Sequence, residues 1–163
     1  YRVLVSGAEY RGRGRNSHWR GRTVFEDAAI QEIQSINHWN KEKVLEQRGS
    51  KSVVFDVITT GNFMGFDVWL KAGSDAQFKA ITNHGDLSVA LADIGINPTV
   101  LEAGGLARRL TVQKLPDTPL SPALQFTKEV TLNETGDTPI WIAVTTEDGF
   151  QAWSSPIYAF RQS

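Results

Sequence analysis

The side chains with most chemistry to offer are the arginines of Arg11-Gly12-Arg13-Gly14-Arg15, three histidines and five tryptophans. Guanidinium forks pair bidentately with phosphate and carboxylate. Arg11, Arg13 and Arg15 are therefore candidates for gripping an anion or for docking against an acidic neighbouring domain, with a solvated hairpin loop as the competing reading. Residues 1–22 hold six arginines against Glu9 alone, a local balance of +5, and the remainder carries −6 to give −1 overall. Aromatic residues do not interleave these arginines as a base-stacking platform requires, so no nucleic-acid partner is expected.

Metal chemistry has little to stand on. A hydrolytic metal site needs several His, Asp or Glu ligands converging, often as a close pair on one element. His18, His38 and His84 each stand alone, without an H-x-H, H-E-x-x-H or Glu-x-x-His spacing. Zero cysteines remove disulfides and thiolate zinc sites and leave the redox compartment open. No G-x-S-x-G elbow is present, and Gly12-Arg13-Gly14 and Gly104-Gly105 lack the spacing and context of a phosphate loop. The expectation is a chain with no catalytic residue, no metal and no cofactor of its own.

Flat aromatic faces pack against sugar rings, which makes Trp39 and Trp69 the candidates for a carbohydrate or other ligand platform. Core packing is the commoner use of tryptophan, and two or three of the five are expected in or near the core.

The elements that must position these residues read almost wholly as strands. Period-two alternation bounded by turn residues predicts strands near 1–10, 19–26, 30–37, 52–60, 65–71, 76–82, 87–92, 108–115, 124–131, 139–146 and 150–160. That spacing predicts an all-β antiparallel sandwich, immunoglobulin-like or jelly-roll-like, with little helix. Phe66, Val68 and Leu70 should face the core, with Asp67, Trp69 and Lys71 pointing away. Lys41 to Gln47 has helix-forming composition but no apolar stripe, which predicts a loop or single turn. Asp148-Gly149 joins two strand-like runs as a closing hairpin. Pro116 to Pro122 reads as a loop, and the 163 residues as one domain. Apolar runs are short and broken by charge, so no membrane-spanning segment is expected. Tyr1 stands in place of an initiator Met on an alternating run, so the chain is expected to be a C-terminal fragment of a longer protein.

Four blocks resemble one family. They are the opening strand with its Arg-Gly-Arg-Gly-Arg loop leading to Trp19-Arg20-Gly21, the run Thr59-Thr60-Gly61-Asn62-Phe63-Met64-Gly65-Phe66-Asp67, the run Glu102-Ala103-Gly104-Gly105-Leu106-Ala107-Arg108-Arg109-Leu110, and the ending Asp148-Gly149-Phe150-Gln151-Ala152-Trp153-Ser154-Ser155-Pro156-Ile157. In this order they resemble the C-terminal β-sandwich region of bacterial PHP-type (polymerase and histidinol phosphatase-like) metallohydrolases that carry a domain of unknown function. The resemblance implies a place beside a metal-dependent hydrolase domain of the same polypeptide and a non-catalytic accessory role. The family's histidine- and carboxylate-rich motifs have no counterpart here, so no catalytic or metal residue is carried over. Gly61 and Gly104-Gly105 are then expected as turn glycines of positive φ.

Overall fold

The computed structural model describes residues 1–8, 15–38, 43–116, 123, 125–146 and 151–160. They form two compact units, Tyr1–Asp117 and Thr118–Ser163, dividing inside the Pro116-to-Pro122 stretch. The first unit contains β1 (Arg2–Ser6), β2 (Ser17–Ile36), β3 (Val44–Arg48), β4 (Ser52–Thr59), β5 (Phe63–Thr82), β6 (Gly85–Ala90), β7 (Thr99–Glu102) and β8 (Arg109–Gln113), with a 3₁₀ turn at Leu91–Asp93. The second contains β9 (Thr138–Ile140), β10 (Ala143–Thr145), β11 (Gln151–Trp153) and β12 (Ile157–Ala159). The described chain is all-β and antiparallel, as the alternation predicts.

In the first unit eight strands share one hydrogen-bonded sheet, ordered β3-β4-β2-β5-β1-β8-β7, with β6 also on β5. Two predicted strands merge into β2 and two into β5, so Gly73-Ser74 is a stretch of β5 and not a turn. The pairing shows how one sheet makes two layers. Gly21–Glu26 pair with Gln77–Thr82, and Ala28–Ile36 pair with Gly65–Ala72, with register shifts at Glu26/Ala28 and Ile30/Glu32. At the first shift Asp27 takes a φ of 52°. Such bulges bend a strand and increase its twist. On one side of the bend lie β3, β4 and β6, and on the other β1, β8 and β7.

The inward residues of both halves meet in one core. Trp19, Phe25, Val53, Val57, Phe78 and Ala80 come from one half, and Val3, Val5, Phe66, Val68, Leu110 and Val112 from the other. Each fully buried large side chain contributes about 1.5–3 kcal/mol. Phe25 and Phe78 pack ring against ring with centroids 5.6 Å apart. Trp19 Nε1 donates to Ser6 O at 3.0 Å, so the polar edge of this buried indole is satisfied and β2 is tied to β1.

Phe66 and Val68 are buried and Leu70 packs partly against the core, as the alternation predicts. Asp67 faces away from the core yet is buried. It lies opposite Arg2 in the β1–β5 ladder and takes a bidentate grip, Nε to Oδ1 and Nη2 to Oδ2, both at 2.8 Å.

Several expectations are corrected. Within the predicted helical-composition stretch, Val44–Arg48 is an edge strand, because the exposed ladder of β4 supplies hydrogen bonds that a stripe-less helix lacks. Thr99–Glu102, not anticipated, pairs with β8 and turns Leu101 toward the core. Among the described residues of 125–131 there is no strand. The closing strands pair, β10 with β11 and β9 with β12, with an interruption at 141–142 and 154–156, while Asp148-Gly149 lies outside the described residues.

Gly65 marks the tightest approach of two backbones. A Cβ placed there would lie 1.9 Å from Val3 O and 2.9 Å from Leu4 Cα. Neither is the flexible end of a side chain, so Gly65→Ala is expected to lower stability by about 1–3 kcal/mol, the usual scale of overpacking. Urea denaturation of the full chain measures this.

Candidate functional site

Strand ends and loops converge at one end of the first unit. Ala8 N donates to Leu106 O at 2.7 Å, and Gly61 N donates to Gly7 O at 2.9 Å. The loops after β1, after β4 and after β7 are thereby stitched together. The β5–β6 turn joins them through Asn83. Its Nδ2 donates to His18 O at 2.9 Å, its Oδ1 accepts from Arg20 N at 2.9 Å, and its N donates to Arg20 O at 3.0 Å.

His84 is fixed on three sides. Its Nε2 lies 2.9 Å from His18 O and its Nδ1 lies 3.4 Å from Arg108 Nη1. A carbonyl only accepts and a guanidinium only donates, which assigns the proton to Nε2. The ring stands edge-on to Trp19 with centroids 4.9 Å apart. Arg108 also donates from Nε to Gly105 O at 2.9 Å. The guanidinium is thus held by a side chain and by its own loop.

A second charged group lies on the outer sheet surface. Arg20 and Asp56 face each other across the β2–β4 ladder. His18 Nε2 hydrogen-bonds to Asp56 Oδ1, and Arg20 Nε lies 3.3 Å from Oδ2. Arg20 Nε is also 3.3 Å from His18 Nε2. Because that ring nitrogen donates to the carboxylate, the guanidinium serves Asp56. The His18 hydrogen bond, ahead of the opposing cost of desolvation, holds the Asp56 carboxyl below its ordinary value. Among the described residues no hydroxyl hydrogen-bonds to the His18 ring, and no three His, Asp or Glu side chains are placed to hold a metal ion.

Of the residues singled out in the sequence, Arg15 is exposed where the β1–β2 loop returns to this end. Arg11, Arg13 and Trp39 lie outside the described residues. Trp69 is 46% exposed and lines a groove of about 260 Å³ with Lys114, Leu115 and Pro116. Of the four described tryptophans Trp19 is buried and the other three are exposed. Trp153, on a strand of three residues, and Trp141, between β9 and β10, are both exposed. His84 and Arg108 were not singled out, because they are distant in sequence and only the loop contacts unite them. The positive φ expected in the turns is present at Gly61 (94°) and Gly104 (81°) but not at Gly105.

The second unit presents a different surface. Ser154 N donates to Ile142 O at 2.9 Å, and Ser154 Oγ accepts from Ile142 N at 3.0 Å, bridging the interruption in the hairpin. Its large apolar side chains stay in water, with Trp153 64% and Ile157 70% exposed and Phe126, Trp141, Tyr158 and Phe160 more than half exposed. Phe126, Lys128, Val130, Trp141 and Ile142 line a groove of about 690 Å³.

Compared with protein-family models, with curated proteins and with solved structures, the chain matches none.

The lowered Asp56 value has a consequence for acid stability. A depressed carboxyl contributes stability that is complete above its unfolded pKa and is lost as pH falls through the folded value. Stability should therefore decline from about pH 4 downward, and Asp56→Asn and His18→Leu should each make that decline shallower. The pair is partly solvated, which keeps the effect small. Urea midpoints measured from pH 2.5 to 6 check this.

Proposed function

We propose that this chain is a non-catalytic accessory β-sandwich module of a PHP-type metal-dependent hydrolase, packing on the catalytic domain of the same polypeptide. The observation that carries the reading is the apolar surface of the second unit. Trp153, Ile157 and Tyr158 stand more than half exposed on strands of three residues, and Trp141 and Phe160, just beyond strand ends, are exposed to the same degree. A patch of this kind on a small hairpin unit marks an interaction site, since contiguous exposed apolar area is rare on surfaces that face only water. Aromatic anchors are also the residues that dominate interface energetics. The family resemblance supports the choice of partner, since the Ala-Trp-Ser-Ser-Pro-Ile block lies within this hairpin. Arg15 adds exposed positive charge suited to an acidic neighbouring surface.

Incubated alone with Mn²⁺ or Zn²⁺ and a panel of phosphoesters, the chain is expected to give background turnover only, and robust hydrolysis would overturn the reading. The isolated chain should also bind a hydrophobic dye such as ANS, and Trp153→Ser combined with Ile157→Ser should remove most of that fluorescence while the melting temperature stays nearly constant.

A second reading rests on Trp69, whose exposed ring borders the groove beside Lys114 and Pro116. In this reading the chain is a carbohydrate- or ligand-binding module. Tryptophan fluorescence should then respond to a bound glycan and the response should vanish in Trp69→Ala. Silence on a glycan array together with a flat titration removes this alternative.

A further inference from the structure

We infer that the loop end of the first unit is an oxyanion site, with the Arg108 guanidinium as its fork and a phosphate or carboxylate group as its ligand. This goes beyond the docking role and does not depend on it.

Arg108 is preorganised. Its Nε is held by Gly105 O and its Nη1 by His84, while Nη2 has no hydrogen-bond partner among the described residues. The side chain is half-buried, and its stem runs across Gly7, where a Cβ would come within 2.8 Å of Arg108 Cγ. Fixing a long side chain in advance removes much of the ordering cost of binding. A guanidinium presented this way suits the planar, bidentate geometry of an oxyanion.

The backbone beside it points the same way. Gly104, Leu106 and Ala107 have φ of 81°, 65° and 50°. For the two non-glycine residues that conformation costs roughly 1–2 kcal/mol each, and such strain concentrates at ligand-binding positions. The backbone hydrogen bonds of this loop are Ala8 N to Leu106 O and Ala103 N to Arg108 O. Neither uses the N–H of Gly105, Leu106 or Ala107. Successive amide donors in a turn of this kind make a concavity for anions.

One further feature belongs to the same end. Ser17 Oγ is buried without a hydrogen-bond partner among the described residues, and it flanks Gly7 together with the Arg108 stem, a Cβ there coming within 2.6 Å of Ser17 Oγ. Buried hydroxyls are normally paired, and an unpaired one marks a place to look for a missing ligand or water. The carboxylate of Asp56, on the outer sheet surface, is engaged by His18 and Arg20, so its charge is offset.

The test uses the full chain with inorganic phosphate and, separately, acetate, each against NaCl at equal ionic strength. Saturable calorimetric binding of either anion is expected, together with shifts of the Gly105, Leu106 and Ala107 amide resonances. Saturation by phosphate alone identifies a phosphate site, and by acetate alone a carboxylate site. Arg108→Gln and Arg108→Lys should each weaken the affinity about tenfold or more, the scale of a lost charge-assisted fork. Arg48→Gln, which removes equal charge from the β3 edge, should leave it unchanged. The proposal is overturned by equal responses to NaCl, by retained affinity in Arg108→Gln, or by an equal loss in Arg48→Gln. Should Arg108→Gln fail to fold, the amide shifts of the unaltered chain decide, since shifts located elsewhere also overturn it.

Discussion

The pairing of β2 with β5, two strands of 20 residues each, is the constraint on which the first unit depends. At ~3.3 Å per residue a straight strand of that length would reach roughly 66 Å, far beyond the radius of gyration of about 13 Å typical of a 100-residue domain. The ladder must therefore bend, and it bends where the register shifts beside Asp27. Every other strand of the unit attaches to one half or the other of this folded ladder, β4, β1 and β6 directly and β3, β8 and β7 through them. Its inner surfaces then close on a single core containing Trp19, Phe25, Phe66 and Phe78.

Folding the ladder also creates the loop end. The end of β1, where Ser6 lies opposite Phe63, is joined through Trp19 to the Asn83-His84 turn. The hydrogen bonds from Asn83 and His84 to His18 O, and from Ala8 N to Leu106 O, hold the result. Residues as distant in sequence as His18, His84 and Arg108 become one polar cluster because the sheet folds over. Trp19 links this cluster to the core, with one edge bonded to Ser6 O and its ring against His84.

The second unit obeys a different balance. Its strands are three residues long, and a hairpin of that size buries too little apolar area to be stable by itself. Its aromatic and aliphatic residues are placed in alternation, as in a sheet with two occupied faces, yet they face solvent. The first unit resolves its own alternation internally. The second leaves its apolar side chains exposed, which is the physical ground for proposing that the chain is an accessory module.

Sequence alone determined the all-β class, the inward phase of Phe66 and Val68, the pairing of the closing strands and the turn glycines Gly61 and Gly104, because each follows from alternation or from local backbone sterics. It pointed to the arginine-rich loop but read His18 and His84 as solitary. The continuity of β2 and β5, the edge strand at Val44–Arg48, the burial of Asp67 under Arg2 and the His84-Arg108 contact were decided by the tertiary structure. In each of these the partner lies far along the chain, and no local pattern records a hydrogen bond or ion pair made across a folded sheet.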